Sequence, residues 1–264
     1  MALVEIQNVS KIFRTKVAGV TREVHALNGV SFSLERGEIV ALTGASGCGK
    51  TTMLRIIMGL EQASGGSVSV NSKIVNACGY DRGMVFQHSE LLPWRNALQN
   101  VAFGLELKGM DKEARIHEAT RNLELVGLGH AADRLPHQLS GGMKQRVGIA
   151  RALAIDPDVL LMDEPFGALD AQTREGLQNE LLTIQAKTQQ TIILVTHDLD
   201  EAVLLADRVV VMSRGRVAET LEVHLPRPRP SLAALRGNAE FGEKRLRLWE
   251  LLKTEMDADA RKAA

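Results

Sequence analysis

The sequence predicts an α/β fold with a mostly parallel sheet core, an antiparallel β layer and an inserted helical subdomain. Three observations carry that prediction. Short β-branched runs at Glu38–Leu42, Val159–Met162, Thr191–Val195 and Val209–Met212 read as buried parallel strands. Helical patterns lie between them: Ile116, Ala119, Leu123 and Val126 form one face, Met143, Val147, Ala150 and Ala154 a second, and Leu199, Val203 and Ala206 a third. Strands that alternate with helices favour a parallel sheet with right-handed crossovers.

Taken in chain order, "VEIQNVSKIF", "VSFSLE" and "GGSVSV" are strand-like pieces separated by turn signals, which suits an antiparallel layer. The stretch "RTKVAGVTREVHAL" reads as a longish loop after Phe13. From about Ser89 to Ala154 the pattern is almost wholly helical, which predicts the inserted subdomain. "SRGRVAE" is hairpin-like, and "PRPRP" (Pro226 to Pro230) reads as a linker or extended strap. A last helix is expected over Glu243–Met256. The expected division is a main domain over 1–223, with its helical subdomain at about 89–154, and a C-terminal extension over 224–264.

Composition sets bounds on partners. Lys plus Arg and Asp plus Glu are both 32, so no global field recruits nucleic acid or anionic membrane. The apolar runs are far too short to span a bilayer, and the N-terminus has no signal-peptide layout. Two cysteines, Cys48 and Cys78, give no disulfide framework and suit a reducing compartment.

"GASGCGKT", Gly44 to Thr51, follows a strand and opens a helix, matching G-x-x-x-x-G-K-[ST]. Each part has a chemical reason. Glycines let the backbone curl so that N–H groups converge on phosphate oxygens. The helix start adds its positive dipole end. Lys50 brings a point charge to the β/γ-phosphates, and Thr51 offers a hydroxyl to Mg²⁺. The fold is therefore expected to be of the P-loop NTPase type. No Asn-Lys-x-Asp run occurs, so guanine reading by that route has no support. In "DVLLMDEP", Asp163 and Glu164 stand at the end of a buried strand, where parallel sheets hold ligands. Asp163 suits Mg²⁺, and Glu164 could polarise a water against a γ-phosphate.

"LSGGMKQR" (Leu139 to Arg146), followed by "DVLLMDEPFGALD" and "ILVTHD", resembles an ATP-binding cassette ATPase over about residues 2–223. The resemblance implies that Gly44, Ala45, Ser46, Gly47, Cys48, Gly49, Lys50, Thr51 and Thr52 bind ATP. It implies that Ser140, Gly141, Gly142 and Gln145 complete the nucleotide site of an opposite subunit, so that two chains pair head to tail over two ATP molecules. Ser and two Gly at a helix start form an anion site on physical grounds as well. Gln87 matches the glutamine that reaches Mg²⁺ and the attacking water, and His197 the histidine that orients that water. Asp170 matches an aspartate at the dimer seam, with Gly167 where many members have Ser. Phe13 matches the aromatic that stacks on adenine, here Phe in place of the commoner Tyr. Cys48 is a small residue in the loop that the local dipole could make alkylatable.

A separate cassette with "THDLDEAVLLADRVVVMSRGRV", without fused membrane helices, is similar to importer subunits. The alternatives are a cassette ATPase of DNA repair or translation, a separately encoded exporter ATPase and, third, a small-molecule phosphotransferase. "DRGMVFQHSELLPW" is similar to the nitrate/sulfonate/taurine branch, while "ACGYDRG" departs from its pattern. The resemblance implies a small anion as solute, a separate membrane permease, an indirect periplasmic binding protein and a place at the cytoplasmic face of the membrane. "LLPWRN" reads as a surface loop. Leu91, Leu92 and Trp94 within it are expected to meet the permease, since Trp is enriched at interface anchors.

Overall fold

The computed structural model describes residues 2–17, 20–229, 232–235 and 237–263. The elements begin with β1 (Val4–Val17), β2 (Val20–Leu34), β3 (Ile39–Thr43), α1 (Lys50–Met58), β4 (Gly65–Val70), β5 (Lys73–Ile74) and β6 (Arg82–Val85). Next come α2 (Ala97–Leu107), α3 (Lys112–Leu125), α4 (Gly141–Ala154), β7 (Val159–Asp163) and α5 (Ala171–Thr188). The chain closes with β8 (Thr191–Val195), α6 (Leu199–Leu205), β9 (Arg208–Ser213), β10 (Arg216–Glu222), α7 (Leu232–Leu235) and α8 (Ala239–Ala263). Two compact units result: Met1–Gly79 with Ile193–Ala264, and Tyr80–Ile192.

In the first unit, β2, β1, β4 and β5 form an antiparallel sheet, and β10, β9, β3 and β8 are neighbours in a second. β3 and β9 run parallel with Val40 opposite Arg208, while β10 returns antiparallel to β9. Every residue of β3 is buried, which is why its sequence carries no alternation. α1 buries Met53, Leu54, Ile56 and Ile57 and stops at Gly59, whose φ of 85° ends the helix.

The expected loop at "RTKVAGVTREVHAL" is instead a hairpin. β1 continues to Val17 and β2 starts at Val20, with Arg14 opposite Glu23. Their side chains meet at 2.8 Å, and oppositely charged cross-strand pairs of this kind support strand pairing in a stretch too polar to read as a buried strand. Residues 18 and 19 of that stretch lie outside the described residues.

The strap after β10 is anchored by its arginines. Arg227 pairs with Asp207 at 2.8 Å, and Arg229 is buried with its guanidinium on the Ala206 carbonyl at 2.6 Å. Burial of Arg229, with Arg227 close by, lowers its pKa to about 10. Pro230 lies outside the described residues. α8 starts earlier than the expected Glu243, because Asn238 Oδ1 accepts from Phe241 N at 3.1 Å and so sets the helix start. Phe241 and Leu248 are its buried anchors.

The second unit pairs β6 and β7 in parallel, Val85 opposite Met162; α4 packs on β6, and α2, α3 and α5 pack on α4. α2 opens with a capping box, in which Gln99 N donates to Asn96 Oδ1 at 2.8 Å and Asn96 N to Gln99 Oε1 at 3.1 Å. Asn100 is 0% exposed and takes no part in the apolar face. Its Oδ1 accepts from Leu92 N at 2.8 Å, and its Nδ2 donates to the carbonyls of Leu92, Arg95 and Asn96 at 3.2, 2.8 and 3.0 Å. One side chain therefore folds the whole LLPWRN loop over the start of α2. Replacing Asn100 by Leu leaves these backbone groups unpaired, and it is expected to lower stability by about 3 kcal/mol. Urea unfolding checks this; a change below about 1 kcal/mol would mean that the loop is held by other contacts.

Candidate nucleotide site

In the first unit, the backbone from β3 into α1 follows a path that excludes side chains. Gly44 has φ 151°, and a Cβ there would stand 2.2 Å from the Met212 carbonyl oxygen. Gly49 has φ 107°, and its Cβ would meet the Ala26 carbonyl oxygen at 2.6 Å. Gly49 is also the N-cap of α1 and makes no side-chain cap hydrogen bond, so the helix start keeps its anion-attracting character. Lys50 is only 7% exposed, and its Nζ donates to the carbonyls of Gly44 at 2.8 Å and Ala45 at 3.0 Å. A buried ammonium inside a ring of its own loop is held where an anion can exchange for those carbonyls. A glycine cradle, a helix start and a central lysine are a donor set that fits a polyphosphate. Cys48 is buried, which denies a thiol reagent access and sets aside the expected alkylation.

Two more expected residues lie in this unit. Thr196 N, just past β8, donates to Leu42 O at 3.2 Å. His197 therefore leaves the sheet at the same end as the phosphate loop, and it is exposed. Phe13, on β1 opposite Val24, is 36% exposed with Lys11 Nζ 4.8 Å from its ring centroid. Glu61 fixes that lysine at 2.8 Å. The exposed ring is a platform on which a flat heterocycle can stack.

In the second unit, β6 and β7 carry Gln87, Asp163 and Glu164 beyond or at their C-terminal ends. Gln87 Nε2 is 3.4 Å from Glu164 Oε2, a long contact that joins these two predicted groups. Glu164 has φ 47°, a left-handed backbone uncommon for a residue with a side chain. Such strain collects at functional positions. Gly167 lies beside both: a Cβ there would be 3.5 Å from Gln87 Nε2 and 3.8 Å from Glu164 Oε2.

The same unit brings together the starts of α4 and α5. Ser140 Oγ accepts from Met143 N at 3.3 Å, which leaves the first-turn N–H groups of Gly141 and Gly142 uncapped by it. Gly142 packs so closely on α5 that a Cβ would touch Thr173 Cγ2 at 2.5 Å. Asp170 caps α5 by accepting from Thr173 N at 3.0 Å, and its hydrogen bonds with Thr173 hold the carboxyl below its usual pKa. Gln145 differs from its neighbours in the signature run. It is 3% exposed, and its amide is committed to the Phe86 carbonyl at 3.0 Å instead of facing solvent.

Trp94 is 72% exposed. It borders a cavity of ≈ 500 Å³ in the second unit, lined also by Leu98, Ala102, Lys112, Arg115 and Ile116. Arg95, in the same wall, pairs with Glu106 at 2.7 Å, and that hydrogen bond holds the Glu106 carboxyl below its usual pKa. Sequence reasoning missed Asn100 and Arg151. Both are polar residues on helices that carry other polar side chains, so nothing in the residue pattern singled them out.

A family model described as ABC transporter matches residues 27–167. The chain is 48% identical over 254 residues to an ABC transporter ATP-binding protein of Methanocaldococcus jannaschii, covering 96% of this chain and 92% of that one. It is 46% identical over 233 residues to the nitrate transport protein NasD of Klebsiella oxytoca, covering 86% and 87% of the two chains. It is also 46% identical to the bicarbonate transport ATP-binding protein CmpC of Synechococcus elongatus over 86% of this chain, but spans only 34% of that protein's length. Among solved structures, the dimeric post-hydrolysis state of an ATP-binding cassette bound to ADP and phosphate superposes with a TM-score of 0.73 at 33% identity, over 84% of this chain and 99% of that one.

Lys50→Ala removes the one cation of the loop. A charge-assisted hydrogen bond is worth about 1.5–3 kcal/mol, so ATP affinity is expected to fall about 10-fold or more. Equilibrium binding of a fluorescent ATP analogue checks this, and unchanged affinity would refute the loop assignment.

Proposed function

The chain belongs to the ABC transporter family, and from that premise we propose that it powers uptake of a small inorganic or organic anion through a separate membrane permease. As a member it binds ATP and is an ATPase. No described helix is long and apolar enough to cross a membrane. The proposed place of the chain is peripheral, at the cytoplasmic face of the membrane. The observation that carries the reading is the near full-length likeness to a nitrate transport protein. The bicarbonate relative points to the same class of solute, a small oxygen-rich anion; a sulfonate or taurine fits that class too.

In the proposed cycle, residues 1–223 act as the cassette, with its helical subdomain at about 89–154, and 224–264 as an extension of it. Two copies pair head to tail. Lys50 and the loop N–H groups hold the β- and γ-phosphates of one ATP, and Ser140, Gly141 and Gly142 of the other copy close on its γ-phosphate. Phe13 stacks on the adenine, and Asp170 lies at the seam. Thr51, Asp163 and Gln87 would hold Mg²⁺, which supplies charge neutralisation on the phosphates when bound; hydroxyl, carboxylate and amide oxygens are the hard donors that this ion takes. Glu164 accepts a proton from the attacking water, His197 orients it, and Gln87 steadies it from beside Glu164. The water oxygen bonds to the γ-phosphorus as the bond to the ADP oxygen breaks. The exposed Trp94, with Leu91 and Leu92, receives a cytoplasmic segment of the permease and couples closure to transport.

Glu164→Gln is expected to keep ATP binding and lose about 10²–10⁴-fold in turnover, the usual contribution of a general base. Parental hydrolysis in that variant would reject the base. Trp94→Ala is expected to keep ATP binding and basal ATPase but weaken permease association about 10-fold or more, as loss of an interface anchor does. Reconstitution with a membrane permease and binding protein that co-purify with the chain, with nitrate, bicarbonate, taurine and a sulfonate compared, tests the solute class. Stimulation by none of these anions would overturn it.

A further inference from the structure

The segment that carries Gln87 is gripped along one stripe of α4. Gln145 Nε2 donates to the Phe86 carbonyl at 3.0 Å. Three residues on, Gly148 lets the helix approach until a Cβ would be 3.5 Å from Ser89 Cβ. Three residues further, Arg151 donates from its two terminal nitrogens to the carbonyls of Ser89 and Glu90, each at 2.8 Å. The Arg151 fork is largely buried: burial lowers its pKa, the nearby Glu90 charge opposes that shift, and the two carbonyls accept its N–H groups. Glu90 has φ 44°, a left-handed backbone that needs an outside hold to persist. Between the two anchor points, Gln87 and His88 are exposed. The segment is therefore pinned at Phe86 and at Ser89–Glu90, with Gln87 presented between the pins toward Glu164, 3.4 Å away.

We infer that Gln145 and Arg151 are positioning residues for ATP hydrolysis: they fix where Gln87 stands relative to Glu164, and touch neither nucleotide nor water themselves. The inference rests on the proposed roles of Gln87 and Glu164. It also gives the signature helix a task inside its own subunit. The helix start at Ser140 and the grip on residues 86–90 belong to one rigid rod, 14 residues long, so a force on its N-terminus is felt at Gln87.

The test is a double-mutant cycle on the full chain, reading kcat and KM for ATP together with the melting temperature. Gln145→Met keeps the length of the side chain and removes the donor; Arg151→Lys keeps the charge and removes the fork. Each is expected to lower kcat about 5- to 20-fold and change KM less than about 2-fold. In a Gln87→Ala background the same substitutions are expected to have almost no further effect, because the group they position is gone. Equal loss with and without Gln87, a change confined to KM, or a loss that tracks only the unfolded fraction would overturn the inference, each pointing to a purely structural helix contact. If Gln145→Met does not fold, Arg151→Lys carries the same cycle. The two levels separate cleanly. Parental kcat in Gln87→Ala alone removes the role of Gln87 and the inference with it. A slow Gln87→Ala beside parental Gln145→Met and Arg151→Lys removes only the inference.

Discussion

Everything in the first unit is arranged around a stretch of backbone that no side chain can share. The turn from Thr43 to Lys50 passes within van der Waals reach of Met212 and Ala26, and Gly44 and Gly49 leave no room for a Cβ. The surroundings are tied to it by hydrogen bonds as well. Gly215 N donates to Cys48 O at 3.0 Å, and Asn28 N donates to Gly215 O at 2.7 Å. The β9–β10 turn is thus a buttress for the loop and not merely a connection. For the proposed role of cradling phosphate, a loop must be stiff before the ligand arrives, and these main-chain contacts supply such preorganisation. Lys50 completes it by bonding to the loop's own carbonyls, which keeps a buried ammonium satisfied.

The second unit solves a different problem, that of holding strained groups in place. Glu164 and Glu90 both take left-handed backbones at a cost on the order of 1 kcal/mol or more each. Neither is left to itself. Glu164 accepts Gly167 N at 3.2 Å through its carbonyl, and Glu90 is held by Arg151. The helix starts follow the same logic. Ser140, Asp170 and Asn96 each cap a helix, so the loops leading into α4, α5 and α2 have defined exits. Precise helix starts matter here, because the predicted functional residues cluster at these starts and at strand ends.

The C-terminal extension shows how charge can fasten a segment with little apolar content. Asp207 receives both Arg227 and Arg229, and its second role is to accept Ile39 N at 2.9 Å at the start of β3. Arg245 with Asp200 and Arg247 with Glu219 tie α8 to α6 and β10. These exposed pairs are individually weak. The buried Phe241 and Leu248 supply the lasting contact, and the charges set its register.

Much of this was legible in the residues. The four buried strands came from runs of β-branched residues, because a strand covered on both faces has no polar side to encode. The phosphate loop, Asp163, Glu164 and Ser140 could be singled out because the chemistry proposed for them needs particular residue types at fixed spacing. The hairpin at Arg14–Glu23 was not, since its support is a pairing between strands and its composition is that of a loop. Nor were the roles of Asn100, Gln145 and Arg151. A buried amide or guanidinium looks like a surface residue in the chain, and only the neighbours that folding brings to it decide what it bonds. Local chemistry, which depends on residues close in sequence, was thus determined by the sequence alone. The tertiary structure decided which buried polar groups are paired, because each such partnership joins carbonyls and side chains from different elements.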